Sequence, residues 1–354
     1  MIDLDKIDLQ KQDSKDMYHK IIHMPEHIDK AYFSPTVHKP SNFDATLKEI
    51  EANKIKRVII VGMGGSAISG DIIQAAFAHL IPVSVYKDYN LPLIESDDLL
   101  LVCSYSGNTE ETLSCLEQGM QATQYIGAVT CNGLLKQKID GKYIWCELPT
   151  GYPPRSAIAF LFFSLVILLE EYQIIPKQEA NIKKAIGTLM IKAGAVAENS
   201  PKETNIAKMG AIKINGKIPI VYSTNPEYAP IAYRWKCQIN ENAKYPAFHH
   251  TFPEMNHNEI EAWENQQLSK MFIPIFLSDF KPEYDYAKRA SFMKELFEEN
   301  GVEYLEFFAE GSSYIEKAFS LIYLGDIVSY YLALLQKVDP TDIEYIERLK
   351  EKIS

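Results

Sequence analysis

Cysteine is scarce in this chain of 354 residues, and its five copies, Cys103, Cys115, Cys131, Cys146 and Cys237, include no C-x-x-C pair. An odd number at irregular spacing argues against a disulfide framework or a structural zinc site and for a reducing compartment. A cytoplasmic location is therefore expected. Positive charge is also in deficit: 36 Lys and Arg stand against 47 Asp and Glu, a net charge of −11. So acidic a surface makes nucleic acid or an anionic membrane a poor partner. An anionic ligand would have to be held locally, by hydrogen-bond donors and a few placed cations. Long apolar runs are missing too. The longest, Ala157 to Leu169, is interrupted by Ser164 and stopped by Glu170-Glu171, too short to span a bilayer. Apolar on every side, it reads as a helix buried in a core or under a second subunit. The start, Met1-Ile2-Asp3-Leu4-Asp5-Lys6, carries no signal-peptide pattern. There is no H-E-x-x-H and no carboxylate cluster at ligand spacing, and the adjacent His249 and His250 face opposite ways on a strand. No metal is expected.

What the chain does have is apolar runs of strand length alternating with helical stretches. Arg57–Val61, Pro82–Tyr86, Leu99–Cys103, Gln124–Thr130 and Tyr143–Cys146 read as strands of a parallel sheet covered on both faces. Pro153-Pro154 closes this half, and helices at 156–172 and 179–199 follow as a connector. The plan then repeats. Strands are expected at 218–223, 247–252, 272–277 and 302–308, with helices at 228–243, 284–300 and 313–336. The fold class is α/β, two sandwiches of one topology. The first 40 residues read as polar and irregular, with one helix over 13–28.

Two stretches carry donors at strand ends. Ser104-Tyr105-Ser106-Gly107-Asn108-Thr109 lies where a strand hands over to a helix, so free backbone N–H groups and the positive end of the helix dipole meet three hydroxyls. No Lys or Arg lies inside it. The bland alternative is an ordinary capping box from Asn108 to Glu111. Gly62-Met63-Gly64-Gly65-Ser66-Ala67 fits G-x-G-x-x-A, a dinucleotide fingerprint that close backbone approach alone also selects. Asp88 is a poorly placed ribose partner. These turns follow the first and third strands and can share the crevice where strand order reverses. Arg155 starts a helix behind prolines, Glu241 sits among amides at a helix end, and His257 lies between two asparagines after a strand. Each of these three is also compatible with an ordinary surface residue.

Taken in order, Gly62–Ala67, Ser104–Thr112, Pro154–Ala157, Asn240–Lys244 and Asn256–Glu259 resemble the bifunctional phosphoglucose/phosphomannose isomerases, a branch of the SIS-domain sugar isomerases. The resemblance runs from about Phe43 to Lys350. It implies two tandem SIS-type α/β/α sandwiches, at 41–153 and 201–338. An extension at 1–40, a helical connector at 154–200 and a tail at 339–354 completing the site would accompany them. It further implies that Ser66, Ser104, Ser106 and Thr109 hold a sugar phosphate, with Gly64 and Gly65 allowing close approach. Arg155 would stabilise an enediolate, Glu241 would move the proton between C1 and C2, and His257 would open the pyranose ring from the other subunit of a homodimer. Lys350 would assist, on a looser match of Asp339-Pro340-Thr341 and Ile346–Lys350 to the family's tail. No cofactor is implied, and the setting is carbohydrate metabolism, glycolysis and gluconeogenesis. Two other readings share the loops: a phosphosugar-sensing regulator without chemistry, and a nicotinamide oxidoreductase.

Overall fold

The computed structural model describes residues 3–6, 11–279 and 286–353. Two short helices open the chain, α1 (Met17–Ile22) and α2 (Met24–Phe33), where one helix over 13–28 is expected. Pro25 is the reason: it has no N–H to continue the ladder of α1, yet it suits the first turn of a new helix. The chain divides into two compact units, one of residues 25–182, the other of residues up to Met24 together with those from Lys183 on. This division differs from the expected one. The 1–40 segment is shared between the units, and the boundary falls inside a helix of the expected connector.

The first unit holds a six-stranded sheet made of β1 (Thr36–His38), β2 (Arg57–Val61), β3 (Val83–Tyr86), β4 (Asp98–Cys103), β5 (Ile126–Thr130) and β6 (Ile144–Glu147), in the order β1-β6-β5-β4-β2-β3. Strands β2 to β6 are parallel, in keeping with the unbroken apolar runs of the central strands β2 and β4. Every residue of Val58–Val61 and Leu99–Cys103 is fully buried. The sheet is not wholly parallel, because β1 adds an antiparallel edge with Val37 opposite Cys146. Helices α3 (Phe43–Asn53), α4 (Gly64–Phe77), α5 (Glu110–Ala122), α6 (Gly133–Ile139) and α7 (Ile158–Glu171) cover it, and α8 (Glu179–Val196) runs on past the boundary. Helix α7 is buried along Ile158–Glu170, against α4, β5 and β6 of its own unit. Its all-round apolar surface is therefore used within the chain and does not call for a second subunit. The buried Glu170 carboxylate accepts from Tyr32 Oη at 2.8 Å and from the Gln178 N–H at 2.8 Å, and pairs with Lys177.

In the second unit, β7 (Ile218–Ser223), β8 (Phe248–Thr251), β9 (Phe272–Asp279) and β10 (Leu305–Ala309) form a parallel sheet in the order β10-β9-β7-β8. Numbered along the chain, the parallel strands run 2-1-3-4-5 in the first unit and 2-1-3-4 in the second. The expected duplication is thus present in the strand order, less one strand. Helices α9 (Ile206–Ile214), α10 (Ala229–Ala243), α11 (Gln266–Ser269), α12 (Tyr286–Glu299), α13 (Tyr314–Gln336) and α14 (Glu344–Ile353) complete the unit. By length and composition α13 could cross a membrane, but its apolar window is entirely buried, against α1, α9 and α10.

The N-terminal residues strap this second unit. Asp13 accepts from the Met17 and Tyr18 N–H groups, at 2.7 Å each, and starts α1. Tyr323 Oη donates to the Ile22 carbonyl at 3.0 Å. The fully buried Lys208 ammonium donates to Asp5 and to the Glu198 and Ser200 carbonyls at 2.7–2.9 Å. Asp339 takes the Ser14 hydroxyl and N–H and, at 2.7 Å, the Thr341 N–H.

A pH dependence follows from that last contact. Burial pushes the Asp339 carboxyl up, but the hydrogen bonds from Ser14 and Thr341 and the nearby Lys244 charge outweigh it and hold the group below its usual range. A carboxyl depressed by folding contributes stability that is complete above about pH 4, where an unfolded aspartate titrates, and is lost as the pH falls through the folded value. Asp339→Asn is therefore expected to lower the urea midpoint at pH 7 and to flatten its decline below about pH 4. Midpoints measured from pH 2.5 to 7 check this. An acid limb unchanged in slope would show that Asp339 does not carry the linkage.

Candidate active site

Strand β4 delivers the donor loop. Ser104 is buried, and its Oγ lies 3.0 Å from Thr109 Oγ1 and accepts from the Gly107 N–H at 3.1 Å. Ser106 is exposed, and its Oγ accepts from the Asn108 N–H at 3.3 Å. The alternative capping box is not formed: α5 has Thr109 at its N-cap and no side-chain cap. Asn108 Oδ1 instead accepts from the Leu134 N–H at 2.9 Å, and the Gly107 carbonyl accepts from the Leu135 N–H at 2.9 Å. The loop is thereby laid against the start of α6, while the first amides of α5 keep no capping side chain, the arrangement that suits an anion.

Strand β2 lies beside β4, so the second turn meets the first at the strand-order switch point. Gly62 makes this possible, since a Cβ there would lie 2.8 Å from the Cys103 carbonyl oxygen. Ser66 sits inside the first turn of α4, whose N-cap is Met63. Its Oγ accepts from the Tyr105 N–H at 3.4 Å and bridges the two turns. Gly64 is exposed in the left-handed region, with φ +53° and open space where a side chain would be. Gly65 serves another approach, for a Cβ on it would stand 3.1 Å from the Pro154 carbonyl oxygen and 3.5 Å from Arg155 Cα. Arg155, buried in the short turn Pro154–Ser156, is thus brought to the same strand ends. Tyr105, not singled out by the sequence, clamps this third segment. Its Oη donates to the Pro149 carbonyl at 2.7 Å and accepts from the Tyr152 N–H at 3.0 Å. Burial pushes that phenol up to about 12, so it stays protonated and can make both bonds. Burial likewise pushes the Cys103 thiol, beside Ser66, up to about 12, which leaves it no part as a nucleophile.

The second unit carries the other three residues. Glu241 is half-buried near the C-terminal end of α10, which packs on β7, β8 and α13. Lys244 closes that helix in the left-handed conformation, φ +52°, and its Nζ donates to the Glu241 carbonyl at 3.0 Å and the Asp339 carbonyl at 2.5 Å. One ammonium thus ties the helix end to the Asp339-Pro340-Thr341 tail. His257 is exposed at the end of the turn Glu254–His257 that follows β8. Met255, fully buried, anchors one flank of that turn, and Glu259, which accepts from Tyr222 Oη, anchors the other. Lys350 stands on the exposed α14. The structure therefore assembles Gly64, Gly65, Ser66, Ser104, Ser106, Thr109 and Arg155 within one unit, and carries Glu241, His257 and Lys350 on the other.

A mostly parallel sandwich with hydroxyl-bearing turns at its switch point, and a second of the same strand order, make up the architecture of the SIS class. Residues 52–133 match the SIS domain, and residues 203–353 match the bacterial phospho-glucose isomerase C-terminal SIS domain. The chain is 35% identical to the bifunctional phosphoglucose/phosphomannose isomerase of Caldicellulosiruptor bescii, over 96% of this chain and 99% of that one. It is 36% identical to the enzyme of the same name from Aquifex aeolicus, over 84% and 90%. A solved putative phosphosugar isomerase of Clostridium difficile 630 shares the fold, with a TM-score of 0.69 over 94% and 97% of the two chains at 15% identity. The chain belongs to the bifunctional phosphoglucose/phosphomannose isomerase family.

Proposed function

We propose that this protein interconverts glucose 6-phosphate and mannose 6-phosphate with fructose 6-phosphate. The observation that carries this reading is the meeting of three segments, Gly62–Ser66, Ser104–Thr109 and Pro154–Arg155, at the carboxyl ends of β2 and β4. The hydroxyls of Ser66, Ser104, Ser106 and Thr109 and the free amides of α5 hold the phosphate without a cationic clamp. Glu241 takes the proton from C2 of the aldose and returns it to C1. Arg155 stabilises the oxyanion of the enediolate. C2 is planar in that intermediate, so the epimers glucose and mannose converge on it, and one site serves both. His257 opens the pyranose ring and Lys350 assists. No step calls for a metal or a nicotinamide.

The test is formation of fructose 6-phosphate from each aldose, with wash-in of solvent deuterium at C2 on reversal. Tight binding of fructose 6-phosphate without turnover or exchange would favour the phosphosugar-sensing regulator instead. We further propose a cytoplasmic homodimer in which His257 serves the partner's site. Glu241→Gln and His257→Asn protomers, each inactive alone, are then expected to regain about a quarter of wild-type activity on mixing, because half the dimers are mixed and each of those keeps one whole site. Activity that stays at the sum of the two variants would place His257 in its own subunit's site.

A further inference from the structure

Helix α10 meets α13 through a row of buried polar contacts that the proposed chemistry does not use. Arg234 Nη2 donates to Asp326 Oδ2 at 2.6 Å, and both side chains are 1% exposed. Trp235 Nε1 donates to the Leu321 carbonyl at 2.9 Å. Asn242, fully buried beside Glu241, donates through Nδ2 to Ser329 Oγ at 2.9 Å, and Ser329 Oγ donates to the Asp326 carbonyl at 2.7 Å. The two helices run close here, since a Cβ on Gly325 would stand 2.3 Å from Trp235 Nε1.

A fully buried ion pair is a weak device for stability. The desolvation of both charges offsets most of their attraction, and an apolar pair of the same volume commonly does as well or better. What such a pair provides is direction. Apolar contacts alone tolerate a small rotation of α10 about its axis, whereas a guanidinium on a carboxylate and an amide on a hydroxyl do not. Arg234 precedes Glu241 by seven residues, so the two lie within about 20° of one another around the helix at 3.6 residues per turn. Any slip of the Arg234 row swings the Glu241 carboxylate by the same angle.

We infer that Arg234, Asp326, Asn242 and Ser329 are positioning residues that fix the rotation of α10 and thereby aim Glu241 at the carbons between which the proton moves. This rests on the assignment of Glu241 as the base. Holding a base in place is worth much in rate, because a displacement of about 1 Å can lower turnover on the order of 100-fold.

The experiment pairs Arg234→Met with Asp326→Leu in the full chain and adds Ser329→Ala as a smaller perturbation. The double variant is expected to unfold at an equal or higher urea midpoint and to bind substrate with KM within about twofold of wild type. Its kcat and its deuterium wash-in at C2 should both fall, by about 10- to 100-fold. Ser329→Ala should show the same pattern at about 3- to 10-fold. A double variant with kcat within twofold of wild type overturns the inference. So does one that fails to fold, or one whose loss lies wholly in KM, since the pair would then be holding the fold or the substrate. Glu241→Gln separates the two levels. If Glu241→Gln stays active, the assignment of the base fails. If it is inactive while the double variant is normal, only the positioning role fails.

Discussion

Replacing Glu241 by glutamine is expected to lower turnover of glucose 6-phosphate and mannose 6-phosphate by about 10³-fold or more, near the upper part of the range for a general acid–base group. KM should change by no more than a few-fold. Glutamine keeps the length and shape of the side chain but cannot accept a proton at neutral pH. The carboxylate is half-buried at the end of α10, and its backbone is held from outside by Lys244, so the isosteric exchange leaves no cavity and keeps that backbone bond. Both aldoses should fail together, because they share the proton transfer that follows ring opening. Deuterium wash-in from solvent at C2 should fail in step. Coupled assays with each substrate, and a thermal melt to show that the variant is folded, decide the matter. Retained turnover would remove Glu241 from the chemistry and leave the donor loops as a sugar-phosphate holder of unknown purpose.

How much of this was legible beforehand depends on the range over which each residue acts. Strands such as Arg57–Val61 and Leu99–Cys103 were plain because full burial on both faces writes itself as an unbroken apolar run. The Ser104–Thr109 loop was plain because hydroxyls and a glycine after such a run have few other uses. The three-residue edge strand Thr36–His38 was not, since nothing in so short a stretch separates a strand from a loop. Helix α9 was missed because its buried Lys208 reads as a solvated residue until Asp5, 203 positions away, comes to meet it. Asn108 misled for the same reason: with Glu111 it spells a local cap, yet its partner is Leu134, in the turn after the next strand. Lys244 and Asp339 lay in stretches that carried the resemblance, but the bond between them left no signal, because what joins them is a backbone carbonyl. Periodicity reports what a residue does for its own element and is silent on contacts between elements.

A single methyl group at Gly107 is expected to raise KM for the sugar phosphates by about 100-fold, a value set by the loss of several donors at once, each worth about 1 kcal/mol. Gly107 adopts φ +71°, and a Cβ there would lie 1.7 Å from the Asn132 carbonyl oxygen. That oxygen is backbone, and it is fixed: Thr130 Oγ1 donates to it at 3.0 Å, and the next residues, Leu134 and Leu135, are bonded back to the donor loop. The loop must therefore move, and with it the Gly107 N–H that Ser104 accepts and the Ser104–Thr109 pair. Gly141 supplies the control. It has nearly the same φ, +69°, but nothing within 4 Å of its would-be Cβ, so an alanine there meets only the left-handed penalty of about 1–2 kcal/mol. Gly141→Ala should lose some stability and keep its KM, whereas Gly107→Ala should lose affinity for sugar phosphate and for inorganic phosphate as a competitive inhibitor. The difference between the two isolates the contact from the backbone strain. If Gly107→Ala binds phosphate as the wild type does, the Ser104–Thr109 loop is not the phosphate grip, and the hydroxyls at the end of β4 need another explanation.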